Sequence, residues 1–277
     1  MLALVFGALV VLAALFVACV GFGPPSVAKA FAGRPAPIER SFDAGGTPIH
    51  AAETGNPAGP LVLFVHGTPG GWRDFSYVMA DAVLAARARL CSVDRPGWGG
   101  SAESGLVTSL AAQAGALRAV LEAHPKNLPA VVVGHSLGGP VAARLALDAP
   151  ELVDALVLVA ASIDPELEET TWYQALGRTW LIRPLVPEML TRADDEIRPL
   201  QGELEALLPL WGTLRAPVFV LHGEEDALVP VANADFAARL VTNAPLALER
   251  IPGQGHLIPW ECPQRIVALV LRALEGR

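Results

Sequence analysis

Val131-Val132-Val133-Gly134-His135-Ser136-Leu137-Gly138-Gly139 sets a serine between a run of valines and a run of small residues. The valines read as a buried strand, and the residues from 137 to 147 have the length and composition of a helix. G-x-S-x-G between a strand and a helix is the pattern of a sharp turn that strains the serine and exposes its Oγ. Gly134 and Gly138 let the flanking backbone pass without a Cβ clash. The helix N-terminus adds N–H groups and partial positive charge where an oxyanion would form. Ser136 is therefore a candidate nucleophile.

Outward from this turn, short apolar runs alternate with longer helical ones. Strands are expected at 38–42, 48–54, 61–65, 89–93, 131–133, 156–159, 218–221 and 247–251. Helices are expected at 74–86, 106–123, 137–147, 233–240 and 263–274. The first two strands read as a hairpin of edge strands around Ala44-Gly45-Gly46. Continuous apolar strands alternating with helices indicate the α/β class, a mostly parallel central sheet covered by helices on both faces. The rhythm fails between 161 and 214, where Trp172, Tyr173, Trp180 and Trp211 fall. Insertions this long are commonly lids or small subdomains. This one reads as a helical cap on a core made of 38–160 and 215–277.

Leu221-His222-Gly223-Glu224-Glu225-Asp226 places an acid just past an expected strand. Gly253-Gln254-Gly255-His256 does the same for a histidine. Open parallel sheets bind ligands at the carboxyl ends of their strands. Ser136, Asp226 and His256 thus form a candidate triad in the order serine, acid, histidine. An isolated Asp or His in a loop is most often merely solvated, so the shared sheet edge carries the argument. Asp164, after the strand at 156–159, is the competing acid. The G-x-x-D-x-x-V-P spacing around Asp226 favours Asp226.

Two further motifs lie in register with these. His66-Gly67-Thr68-Pro69-Gly70-Gly71 follows the third strand, and Asp94-Arg95-Pro96-Gly97-Trp98-Gly99-Gly100-Ser101 the fourth. With them the chain resembles the α/β-hydrolase family from about residue 38 to residue 274. The resemblance implies a serine hydrolase that works without a cofactor, its oxyanion held by the backbone N–H groups of Thr68 and Leu137. It also implies that the 94–101 turn is structural. The reaction expected is cleavage of a small-molecule carboxylic ester, with an apolar or lipid-like acyl chain. Trp172, Tyr173, Trp180, Leu181 and Leu185 are the candidate substrate-binding residues of the cap, or else seal it to the core. Within the family, a C–C bond hydrolase, a cofactor-free haloperoxidase, a lactonase and an aminopeptidase of the proline iminopeptidase kind stay open. For the last, Glu166, Glu168 and Glu169 could meet a free amine. A non-catalytic binding module on the same fold is the alternative of a different class.

The chain has 277 residues and a net charge of −8. No Lys/Arg run offers the basic stripe that nucleic acid requires. Cys19, Cys91 and Cys262, with the histidines, show neither metal-ligand nor disulfide spacing, so no metal is expected. Gly97-x-Gly99-x-x-Ala102 mimics a dinucleotide fingerprint, but Glu103-Ser104-Gly105 separate it from the next helix. Epoxide hydrolases and haloalkane dehalogenases share the H-G-x-P loop but use an aspartate nucleophile, against Ser136.

Residues 1–23 carry no charged side chain, and Pro24-Pro25 follow. About 20 apolar residues can span a bilayer as a helix. This run is expected to be a single-pass N-terminal transmembrane anchor in a bacterial membrane, with 24–37 as linker. Its alternatives are a cleavable signal ending near Ala28-Lys29-Ala30, a lipoprotein signal at Leu15-Phe16-Val17-Ala18-Cys19, and a buried helix of a soluble protein. Lys29, Arg34 and Arg40 point the following domain toward the cytoplasm, diluted by Glu39 and Asp43.

Overall fold

The computed structural model describes residues 26–275. Among them, eight strands form one sheet: β1 (Ile38–Asp43), β2 (Pro48–Gly55), β3 (Leu61–Val65), β4 (Arg89–Val93), β5 (Ala130–His135), β6 (Ala155–Val159), β7 (Val218–Gly223) and β8 (Leu246–Ile251). Their spatial order is β1-β2-β4-β3-β5-β6-β7-β8. β2 runs antiparallel to β1 and β4, and every other pairing is parallel. All residues of β3, β5 and β6 are buried, as strands covered on both faces must be. β1 at the edge is mostly exposed and carries Glu39, Arg40 and Asp43, charges that discourage edge-to-edge pairing.

The helices are α1 (Val27–Ala30), α2 (Ser76–Met79), α3 (Ala82–Arg87), α4 (Leu110–Glu122), α5 (Gly138–Asp148), α6 (Trp172–Gly177), α7 (Glu188–Ile197), α8 (Leu200–Leu207), α9 (Ala232–Leu240), α10 (Ile258–Glu261) and α11 (Pro263–Glu275). Strand alternation divides the core in two. Leu61, Leu63 and Val65 pack with α4, α5, α8 and α9 on one face. Val62 and Phe64 pack with α2, α3 and α11 on the other.

Three stretches differ from expectation. The helix expected at 74–86 is a short 3-10 turn (Trp72–Phe75) followed by α2 and α3. Asp81 divides it, because its carboxylate caps the N–H groups of Val83 and Leu84 at 3.0 and 2.9 Å. The helix expected from 106 begins at Leu110, where Ser109 accepts from the N–H of Ala112. The stretch 24–37, read as a linker, contributes α1 and Phe31, which is buried against α2 and α3.

The insertion at 161–214 holds α6, α7, α8 and three short 3-10 turns. Leu200, Leu204, Leu207 and Trp211 fasten it to the core. Trp172, Trp180, Leu181 and Leu185 are exposed instead, Trp180 at 86%. Among the described residues no helix is long and apolar enough to cross a membrane. The apolar run at 1–23, expected to be an anchor, lies outside them.

Candidate active site

Ser136 sits at the end of β5 with φ +55°, a left-handed conformation that non-glycine residues rarely adopt. The turn is held by the Ser136 N–H, which donates to the Val159 carbonyl at 3.0 Å, and by its carbonyl, which accepts from Gly139 N–H at 2.9 Å. A Cβ at Gly134 would collide with the carbonyl of Gly138, and one at Gly138 with that of Val65. Those two approaches are why the motif needs its glycines.

Asp226 follows β7 and His256 follows β8, at the carboxyl edge to which β5 also leads. His256 Nδ1 donates to Asp226 Oδ2 at 2.7 Å. The other carboxylate oxygen accepts the N–H groups of Leu228 and Val229 at 2.9 and 2.8 Å. Burial pushes the Asp226 carboxyl up, but hydrogen bonds from His222 and His256 outweigh it and hold the group well below the usual carboxylate range. The acid is thus a fixed anion beneath the imidazole. His256 is left with Nε2 as its free basic nitrogen.

Two more histidines fix this geometry. His135, beside Ser136, is pushed down to about 3 by burial and then by its neighbour His256, so it is neutral. Its Nε2–H donates to the His256 carbonyl at 3.0 Å, and the two rings lie 4.8 Å apart. His222 Nε2 donates to the Val229 carbonyl at 2.9 Å, closing the loop that carries Asp226.

The loop after β3 presses against the serine: a Cβ on Gly67 would come within 2.8 Å of Ser136 Cβ and 3.3 Å of its Oγ. Thr68 follows directly, and its buried hydroxyl has no hydrogen-bond partner. Beneath the loop lies Arg95, fully buried. Its guanidinium donates to the carbonyls of His66 and Gly67 at 2.8 and 2.7 Å and to Gln113 at 2.6 Å. It pairs with Glu196 of α7 at 2.5 Å.

The structure brings Asp226 and His256 into direct contact and sets Ser136 and Gly67 side by side. Leu137 is buried at the start of α5. Asp164 stands apart from the histidines, its Oδ1 accepting from Glu166 N–H at 3.0 Å. Trp180 borders a shallow hollow with Arg183, Pro184 and Val186, none of them near-neighbours of Ser136 in sequence or in the contacts above. For Tyr173 the side chain is outside what the structure describes. Sequence reasoning missed His135 as a positioner of His256, and it missed Glu196 altogether. Arg95 stood in a recognised motif, whereas a single Glu on an amphipathic helix gives no signal. Among the described residues, no group of three His, Cys, Asp or Glu side chains is placed to hold a metal ion.

The family model for the alpha/beta hydrolase family matches residues 62–269, well over half of the chain. The chain belongs to that family. It is 31% identical over 260 residues to a pimeloyl-[acyl-carrier protein] methyl ester esterase of Nitrosomonas europaea, covering 79% of this chain and 97% of that one. It is 30% identical over 271 residues to a 2-hydroxy-6-oxononadienedioate/2-hydroxy-6-oxononatrienedioate hydrolase of Burkholderia vietnamiensis, with 82% and 91% covered. The crystal structure of a membrane phospholipase A has the same fold, with a TM-score of 0.69 at 18% identity over 99% of this chain and 93% of the other. Membership in this family and its named relatives make the protein a hydrolase.

Proposed function

We propose that this hydrolase cleaves carboxylic esters through an acyl-enzyme on Ser136. The observation that carries the reading is the 2.7 Å bond from His256 Nδ1 to a buried, ionised Asp226, together with Ser136 held at φ +55° at the end of a strand that leads to the same sheet edge. His256 Nε2 takes the Ser136 proton as Oγ attacks the ester carbonyl. The carbonyl electrons move to oxygen, which the N–H groups of Thr68 and Leu137 hold. His256 then protonates the departing alkoxide, and water releases the acid by the same steps. The methyl ester esterase relative supports an ester as the substrate class. The relative named for 2-hydroxy-6-oxononadienedioate cleavage supports a C–C bond hydrolase as the second reading.

The residues from 1 to 23 carry no charge, and we assign them to a bilayer tether for this catalytic domain. An apolar acyl chain suits an enzyme held at a lipid surface.

Ser136→Ala should lower ester turnover at least about a thousandfold, because triad members act as a unit. A fluorophosphonate probe should label Ser136 in the wild type and leave the variant unlabelled. Assays on p-nitrophenyl esters of two to twelve carbons (roughly), beside a 2-hydroxy-6-oxodienoate and prolyl-naphthylamide, decide between ester, C–C and amide cleavage. Turnover of the dienoate alone would reject the ester reading, and labelling at another serine would reject the nucleophile.

A further inference from the structure

We infer that Glu196 of the cap helix α7 is a positioning residue for the oxyanion site: by holding Arg95 in place, it fixes the peptide plane whose N–H belongs to Thr68. The inference rests on the serine mechanism proposed above and adds to it a link between cap and chemistry.

The Gly67 carbonyl and the Thr68 N–H belong to the same rigid plane and point in opposite directions. Whatever grips that carbonyl aims that N–H. Two donors grip it: His66 Nδ1 at 2.7 Å and Arg95 Nη2 at 2.7 Å. The proton on His66 is not in doubt, because its Nε2 accepts the Arg95 backbone N–H at 3.0 Å, leaving Nδ1 as the donor. Burial, reinforced by the Arg95 charge, holds the ring neutral by pushing its pKa well down.

Arg95 in turn has to be held. A fully buried guanidinium without a counter-ion is strongly unfavourable. Glu196, itself 1% exposed, supplies the counter-ion through both oxygens, at 2.5 and 3.2 Å. The same carboxylate accepts from Trp98 Nε1 and Gln113 Nε2, each at 3.1 Å. Arg192, one turn earlier on α7, donates to the Gly97 carbonyl and lies over the Trp98 ring. Cap helix, 94–101 turn and oxyanion loop are therefore one hydrogen-bonded unit. With α7 docked, the Thr68 N–H is aimed; with α7 displaced, Arg95 loses its counter-ion and the Gly67 carbonyl loses a donor.

The test separates ground-state binding from the tetrahedral state. An alkyl trifluoromethyl ketone adds to a serine hydrolase: Oγ bonds to the carbonyl carbon, the π electrons become an oxyanion, and the serine proton passes to histidine. Its plain methyl ketone analogue binds without needing the oxyanion site. Glu196→Gln keeps the shape but removes the charge. It should lower kcat on p-nitrophenyl acetate and affinity for the trifluoromethyl ketone by the same factor, about 10- to 100-fold, since one oxyanion donor is worth up to about 10³. KM and methyl ketone affinity should stay within about twofold of wild type. Glu203→Gln on α8, which removes the charge of a carboxylate that accepts from the Leu110 N–H and touches no part of this unit, should leave both values unchanged. If Glu196→Gln does not fold, the double variant Arg95→Met/Glu196→Met replaces the pair with apolar chains and should show the same selective loss. Wild-type kcat and trifluoromethyl ketone affinity in either folded variant overturn the inference, as does an equal loss of methyl ketone affinity. A wild-type enzyme that neither turns over esters nor labels at Ser136 would instead show that the serine mechanism itself is wrong.

Discussion

Asp226 and Asp164 both follow strands at the same sheet edge, and their surroundings separate them. Asp226 accepts from His256 and from two backbone N–H groups, whereas Asp164 caps a 3-10 turn and has Arg239 at 3.9 Å. Asp226→Asn should cost about 10⁴ in kcat, because an amide in that place favours the wrong imidazole tautomer. Asp164→Asn should cost less than about threefold, and steady-state kinetics on one ester ranks the two. Asp74, buried beneath the 66–71 loop, gives a pH signature. Burial raises its carboxyl to about 7, with the Asp94 charge adding to the rise and a bond from Gly71 N–H opposing it. An ordinary Asp titrates near 4 (about 3.9). Between these values the folded protein binds a proton that the unfolded chain has lost, so stability falls as pH rises from about 4 to 7. The slope is at most about 1.4 kcal/mol per pH unit. Asp74→Asn should flatten that part of the curve, read by urea unfolding at pH 4.5, 5.5 and 6.5 (approximate settings within the window). Equal slopes in both proteins would place the titration elsewhere.

At the scale of elements, the insertion at 161–214 divides its aromatic residues in a way its sequence conceals. Trp211 is 1% exposed and packs with Leu200, Leu204 and Leu207, while Trp180 stands in solvent. Trp211→Ala should therefore destabilise the fold by about 3–5 kcal/mol. Trp180→Ala should stay within about 0.5 kcal/mol of wild type. Denaturant melts of the two variants give the comparison directly. The apolar residues from 172 to 185 gave no reliable inward face because they do not share one helix. α6 ends at Gly177, and Leu185 belongs to a separate 3-10 turn. Periodicity reports an inside only where the period is continuous. β3, β5 and β6 were legible for the opposite reason: burial on both faces leaves every position apolar, so the strand shows even in five residues. Ser136 and Asp226 could be proposed from sequence because they follow the buried strands β5 and β7, whereas β8 ahead of His256 is only partly buried and carries Glu249 and Arg250, so that histidine was marked by its place after the acid in the chain. Glu196 was not, since its partner Arg95 lies 101 positions away and neither residue's neighbours mark the pairing.

For the whole molecule, the start of the folded domain has a physical position. Phe31 is buried beside Met79, Ala80 and Leu84, so the domain begins before its first strand. A chain starting at Ser26 should melt like the full-length protein. One starting at Ile38 loses the Phe31 contact, about 1.5–3 kcal/mol, and should melt several degrees lower. Differential scanning calorimetry of the two truncations measures the gap, and equal midpoints would mean that the N-terminal helix adds nothing. The full-length protein should sediment with membranes and resist carbonate extraction, and the Ser26 truncation should not.

The left-handed turn at Ser136 also bears on how such a chain would evolve once released from catalysis. A non-glycine residue in that region is held at a cost of order 1–2 kcal/mol. Glycine accepts the same angles freely. Ser136→Gly should therefore raise the melting temperature while abolishing turnover. Selection for folding alone would push position 136 toward glycine, and only selection for chemistry keeps a serine there. A gene duplicate that drifted into a purely structural or binding role would be expected to lose this serine early, leaving its sheet and packing untouched.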